Sequence, residues 1–166
     1  EDSVSEETAE RLSRALSISP ILSRFLVARG LNDADSARAF LKPNLADLAN
    51  PFDLPSMKEA VDRLILSLGK KESVLIVGDY DVDGITSTVM LCRVLSALGN
   101  EPAHITPKRK EEGYGLTHAV LERGLQMGDV DLVVALDCGT NSSEEYAFLQ
   151  SKGIDLLVVD HHQAKT

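Results

Sequence analysis

Cysteine is scarce in this sequence: Cys92 and Cys138 are the only two, and they form no C-x-x-C pair. That excludes a disulfide framework and fits a reducing compartment. Long apolar runs are also missing, none approaching the ~20 residues that a membrane-spanning helix needs. The opening EDSVSEETAE has neither the basic nor the apolar region of a secretion signal. The expectation is a cytoplasmic protein with no membrane association, although the chain does not open on methionine and this reading covers only the residues given. Basic charge is in deficit, 17 Lys and Arg against 26 Asp and Glu, for a formal charge of −9. Sequence-independent wrapping of nucleic acid normally needs a basic face. A nucleic-acid enzyme stays open, because metal ions can neutralise an acidic site and a local basic loop can hold phosphate. No repeat of solenoid type and no low-complexity tract is present.

What is there suffices for a core. Of 166 residues 43% are hydrophobic, so the chain can bury one domain, or a domain with a smaller appendage. The first seventy residues read as helical. In SPILSRFLVARG, Ser19 is a plausible N-cap, Pro20 stands at the first helical position and Gly30 stops the helix. DADSARAFL follows as a short helix ending before Pro43. KPNLADLANPFDLPS, with three prolines and two asparagines, reads as a connector. SMKEAVDRLILSLG offers a capping box, Ser56 with Glu59, and helical spacing up to Gly69.

From Ser73 the pattern changes. Short apolar runs (SVLIVG, AHIT, DLVVALD, IDLLVVD) alternate with helical segments at about Ile85 to Leu98, Thr117 to Gln126 and Ser143 to Lys152. Such alternation marks βαβ units and a parallel sheet. The expected fold is α/β: a parallel sheet with helices on both faces over residues 73–166, preceded by a helical amino-terminal region and connector over residues 1–72. Three apolar runs end in aspartate, at Asp79, Asp137 and Asp160. Ligands of open α/β sheets bind at the carboxyl ends of the strands. Three acids at three strand ends should therefore converge, although any one of them could simply cap the loop that follows.

In VLIVGDYDVDG, acids also recur at alternate positions, Asp79, Asp81 and Asp83. In an extended segment these side chains would point the same way and offer several oxygens to one spot. Magnesium and manganese take such oxygen ligands, and manganese accepts imidazole too. VVDHH supplies His161 and His162 directly after a strand-end acid. Two other readings of the acid cluster fit it less well. DYDVDG begins like a calcium EF-hand loop, but its twelfth position is Met90 instead of a bidentate glutamate, and a strand precedes it. DVDGIT approximates the D-x-D-G-T element of haloacid-dehalogenase-type phosphatases with Asp81 as nucleophile. There, however, the threonine is displaced by one residue, no later acidic pair lies on a glycine-rich turn, and the paired histidines have no role.

GDYDVDG, DCGT and DHH, in that order, resemble the motifs of the DHH phosphoesterase family. LVARGLNDADSARAFLKPNL, NPFDLPSMKEAVDRL and EEGYGL are similar to the amino-terminal half of the RecJ-type single-strand-specific exonucleases within it, so the likeness covers nearly all of the chain after about Leu16. The resemblance implies a phosphodiester hydrolase using two divalent cations, Mn2+ or Mg2+. Carried over by position, Asp81, Asp83, Asp137 and His161 match metal ligands, Asp137 being shared by both ions. His162 faces the scissile phosphate, and Asp79 and Asp160 stand in supporting positions. Cys138 is then a packing residue and not a nucleophile.

KRKEEGYGL holds the only basic triplet, Lys108, Arg109 and Lys110. Arginine can grip phosphate at two points, and Gly113 and Gly115 let backbone approach a substrate. The resemblance implies a phosphate contact for Arg109; Lys108 stands beside it, and Tyr114 could stack on a base or brace its own turn. His104 and His118 read as structural. The implied substrate is single-stranded DNA, degraded from its 5′ end in recombination and repair, with repair proteins as unspecified partners. Alternatives are a phosphodiesterase on short oligonucleotides, cyclic dinucleotides or pyrophosphate, and a non-catalytic nucleic-acid-binding scaffold. The family carries a further metal-binding aspartate and a second domain downstream of DHH, whereas this sequence stops six residues after Asp160. The expectation is an amino-terminal catalytic half, weakly active or inactive alone.

Overall fold

A computed structural model of the chain describes residues 5–165; residues 1–4 of the acidic opening and Thr166 lie outside the described residues. Two units are distinguished, Glu1–Pro55 and Ser56–Thr166. In the first, α1 (Glu6–Leu16), α2 (Pro20–Ala28) and α3 (Ala34–Leu41) are followed by two 3-10 turns, Leu45–Asp47 and Pro51–Asp53. The α2 start follows the expectation, with the Ser19 hydroxyl accepting from Leu22 N–H and Pro20 at the first position. Leu12, Leu26 and Ala37 form its small core.

The second unit contains α4 (Met57–Lys70), β1 (Val74–Gly78), α5 (Val82–Ala97), β2 (Ala103–Ile105), α6 (His118–Leu125), β3 (Leu132–Leu136), α7 (Ser143–Ser151) and β4 (Asp155–Val159). All pairings are parallel, in the order β2-β1-β3-β4. Every residue of β1 and β3 is buried, as continuous apolar strands covered on both faces should be. Alternation divides them between two layers. Leu75, Val77, Val133 and Ala135 meet Val120 and Leu121 of α6 and Leu149 of α7. Val74, Ile76, Leu132 and Val134 meet Leu95 of α5 and Leu64 and Leu68 of α4. Helix α4, read in the sequence as the last helix of the amino-terminal region, thus packs on the sheet.

Three local expectations need correction. Ser56 makes no capping hydrogen bond, because its left-handed backbone (φ +57°) departs from the extended geometry that a capping side chain requires. Helix α4 runs on past Gly69 to Lys70, and Lys71 takes the left-handed closing position. Helix α5 begins at Val82 and not at about Ile85. The Asp79–Asp83 segment is therefore not extended throughout: Asp81 is the N-cap of α5 and Asp83 lies in its first turn.

Two glycines allow that early start. A Cβ on Gly78 would collide with Thr88 Oγ1 and with the Gly84 carbonyl oxygen of α5, and one on Gly84 would collide with the Asp79 backbone. The first turn of α5 can press against the end of β1 only because both positions lack a side chain.

Candidate metal centre at the strand ends

The sheet order places β2 and β3 on opposite sides of β1, so the chain reverses its direction of winding between β1 and β3. That switch point, at the carboxyl ends of the strands, is where an open α/β sheet forms its crevice. Asp79 follows β1, Asp137 follows β3 and Asp160 follows β4. Backbone bonds continue the ladder past the strand ends: Asp79 N–H donates to the Leu136 carbonyl at 3.3 Å and Asp137 N–H to the Val159 carbonyl at 2.8 Å. The three strand-end acids line one hollow of about 300 Å3, together with Tyr114, Cys138 and His162. A larger hollow of about 430 Å3 lies at the opposite end of the strands, near Ser73, Asn100 and Asp129, and gathers no histidine.

Asp137 is buried, 7% exposed, and its backbone adopts φ +60°. Asp tolerates that left-handed conformation better than most side-chained residues. Burial raises its pKa, and the adjacent Asp81 carboxylate raises it further; Asp83 adds to this and His161 opposes it. Asp81 moves the other way. Its Oδ1 accepts from Gly84 N–H and Asp83 N–H, each at 3.1 Å, and the Gly84 bond is the chief cause of its lowered pKa. Two carboxyls forced together with their proton affinities pushed apart mark a place short of positive charge.

His161 Nε2 is 3.1 Å from Asp137 Oδ1. Asp137, His161 and His162 each present one ligand atom within 4.8 Å of the others. His162 is oriented by Asp160, whose Oδ1 accepts from the His162 backbone N–H at 3.1 Å and lies 2.7 Å from His162 Nδ1. Asp160 Oδ2 accepts from Thr140 N–H at 3.1 Å. Burial alone would raise the Asp160 pKa, but bonds from Thr140 and His162 outweigh it and hold the carboxyl well below its ordinary range. Asp160 in turn raises the pKa of His162. The carboxylate of Asp137 with the imidazoles of His161 and His162 makes a donor set that suits a borderline divalent cation.

The remaining sequence candidates distribute as follows. The Arg109 guanidinium carbon stands 5.2 Å from the centroid of Tyr80, whose N–H donates to Asp79 Oδ1 at 2.7 Å. The basic loop thus reaches the segment between Asp79 and Asp81. Lys108 is engaged elsewhere, its ammonium 3.4 Å from Glu111. Tyr114 is 75% exposed at the hollow, between Gly113 (φ +84°) and Gly115 (φ +75°). Cys138 is buried, with its thiol pushed up to about 12 by burial and by the three strand-end acids, so it is no nucleophile near neutrality. His104 is exposed on β2, and His118 packs edge-on against Phe148.

Two supports escape sequence reading. Asn141 spans the strand-end loops: its Nδ2 donates to the Gln163 carbonyl at 3.1 Å and its Oδ1 accepts from Lys165 N–H at 2.7 Å. Glu112 pairs with Arg123, eleven residues on. Polar residues in loops carry no signal of such long-range partners, which only the topology supplies.

Comparison with known proteins gives the same picture. The family model "DHH family, N-terminal domain" matches residues 73–166. The single-stranded-DNA-specific exonuclease RecJ of Bacillus subtilis (strain 168) is 34% identical over 158 residues, 95% of this chain and 20% of that protein. RecJ of Haemophilus influenzae is 35% identical over 152 residues, 91% of this chain and 26% of that protein. The chain therefore spans about a fifth to a quarter of the length of these relatives. A crystal structure of exonuclease RecJ bound to manganese superposes with a TM-score of 0.63 at 34% identity, covering 68% of this chain and 29% of that one. RecJ in complex with Mn2+ from Thermus thermophilus gives 0.65 at 27% identity, covering 96% and 22%. With the matched region taking in the whole parallel sheet and the acids and histidines at its strand ends, the chain belongs to the DHH family.

Proposed function

We propose that this chain carries the amino-terminal catalytic part of a metal-dependent phosphodiester hydrolase, acting as a 5′-to-3′ exonuclease on single-stranded DNA in recombination and repair. The observation that carries this reading is the gathering of Asp79, Asp81, Asp137, Asp160 and His161 at the switch point of the sheet, with Asp137 holding its proton more tightly than usual. The likeness to RecJ exonucleases, including structures bound to manganese and to Mg2+, supports both the reaction and the cations.

Asp81, Asp83, Asp137 and His161 are the residues that would hold two divalent cations, Mn2+ or Mg2+. Bound there, such ions lower the pKa of water and offset charge growing on the phosphate oxygens. Asp79 and Asp160 support the ligands, Asp160 by fixing the orientation of His162. His162, held with Nδ1 against Asp160, turns its other ring nitrogen to the phosphate. Arg109 grips phosphate from the basic loop, with Lys108 beside it in its pair with Glu111, and Gly113 and Tyr114 border the path of the strand. A division into a helical amino-terminal region, residues 1–72, and a DHH core, residues 73–166, follows the start of the family match, with α4, the last helix of the first region, packed on the sheet of the core. The cellular site is the cytoplasm, with repair proteins as partners.

The test uses the complete gene product containing this chain, with Mn2+ and single-stranded DNA labelled at its 5′ end. Release of labelled mononucleotide by the parent but not by Asp137→Ala is expected. Manganese binding without release would redirect the reading to another phosphodiester. Absence of manganese binding would favour a non-catalytic scaffold.

A further inference from the structure

The basic loop contains as many acids as a phosphate site could tolerate badly: Glu111 and Glu112 follow Lys108, Arg109 and Lys110 directly. Both carboxylates are cancelled within the fold. Glu111 pairs with Lys108. Glu112, only 10% exposed, receives a two-point grip from Arg123 of α6, Nε to Oε1 at 2.6 Å and Nη2 to Oε2 at 2.8 Å. Arg109 and Lys110 carry no ion pair among the described residues.

The same contacts close the loop mechanically. Glu112 Oε2 accepts from Lys108 N–H at 2.7 Å, while Glu112 N–H donates to the Lys108 carbonyl at 2.8 Å. Both polar groups of the Lys108 backbone are thus tied to Glu112. Arg123 Nη2 also donates to the Thr106 carbonyl at 2.7 Å, anchoring the turn to the end of β2. Arg109 is the residue next to that closure, and its guanidinium stands over Tyr80 in the acid-bearing segment. A planar guanidinium with several donors suits a clamp of this kind, and lysine does not replace it.

We infer that Arg123 is a positioning residue for phosphate capture: through Glu112 it holds the turn of residues 108–112 so that Arg109 stands beside the acid cluster. This rests on the reading of Arg109 as a phosphate contact. Arg123 itself need not touch the substrate.

The test measures binding of a hydrolysis-resistant phosphorothioate oligothymidylate in Mn2+ over a range of salt, for the parent, Arg109→Gln, Arg123→Gln, Arg123→Lys and the double variant Arg109→Gln/Arg123→Gln. Each Gln variant should bind roughly tenfold more weakly or worse. Each should also lower the salt slope by about 0.7, the contribution of one phosphate contact on a single strand. The double variant should be no weaker than Arg109→Gln alone, and Arg123→Lys should recover part of the loss. A merely structural arginine would not move the salt slope. Parental binding by Arg123→Gln beside weak binding by Arg109→Gln would overturn the positioning role and leave the phosphate contact standing. Parental binding by Arg109→Gln would overturn both. If Arg123→Gln does not fold, Arg123→Lys decides: losses shared with Arg109→Gln support the inference, and parental binding or additive losses overturn it.

Discussion

Asp160 and His162 are joined twice across one residue, through the His162 backbone N–H at 3.1 Å and its ring Nδ1 at 2.7 Å, both on the same carboxylate oxygen. That oxygen sets the ring's direction and tautomer, and the carboxylate's charge favours the protonated ring. Asp160→Asn should therefore let the His162 pKa fall back toward its ordinary value of 6.5. Proton NMR titration of the ring would read this directly, and an unmoved titration would deny Asp160 its orienting role. Hydrolysis by the complete gene product should fall about 10–100-fold, as for other partners that orient a site histidine.

Divalent cations should stabilise the chain. At a free concentration one hundred times Kd, Mn2+ should add about 2.7 kcal/mol to the unfolding free energy. Chelator should reverse the shift, and Asp137→Ala should abolish it. Asp79→Asn separates ligand from support: a loss of affinity within about 100-fold fits a residue that orients its neighbours. A larger loss would make Asp79 a direct ligand.

Gly84→Ala should damage both fold and metal site, because the added methyl meets the Asp79 backbone. Overpacking of this kind costs about 1–3 kcal/mol. The strand end or the first turn of α5 must shift to relieve it, carrying Asp81 and Asp83. Chemical denaturation and Mn2+ titration should change together; a stable variant with parental affinity would show that the close approach is dispensable.

The Glu112–Arg123 pair should appear in the acid limb of stability. Arg123 holds the Glu112 carboxyl down to about 2, against an ordinary 4.5. A carboxyl depressed in the folded state contributes stability that is present above its unfolded pKa and lost as pH falls through the folded one. The parent should therefore lose stability between about pH 4.5 and pH 2, and Glu112→Gln should lose less over that window. Near neutrality the variant should be less stable by about 1–3 kcal/mol. Melting curves across the acid range would test both signs.

The strand-end pattern was legible because β1 and β3 are buried on both faces and so read as unbroken apolar runs, each terminated where an acid first meets the crevice. Asp79, Asp137 and Asp160 needed no tertiary knowledge beyond the rule that parallel strands end together. The acid motif was less transparent. Its alternating acids suggested an extended segment, but the backbone turns helical at Val82, since Gly78 and Gly84 let α5 close on β1 and Asp81 is taken as its cap.

Sequence alone determined the α/β alternation, the acids and histidines available, and the basic triplet, because each is written in local periodicity and residue type. Tertiary structure decided which of these meet. The order β2-β1-β3-β4 brings Asp81 against Asp137 and Asp137 against His161, and long-range packing sets Arg109 over Tyr80. Whether Asp137 gives up its proton easily depends on burial and on a carboxylate 56 positions earlier in the chain, and no local pattern encodes either.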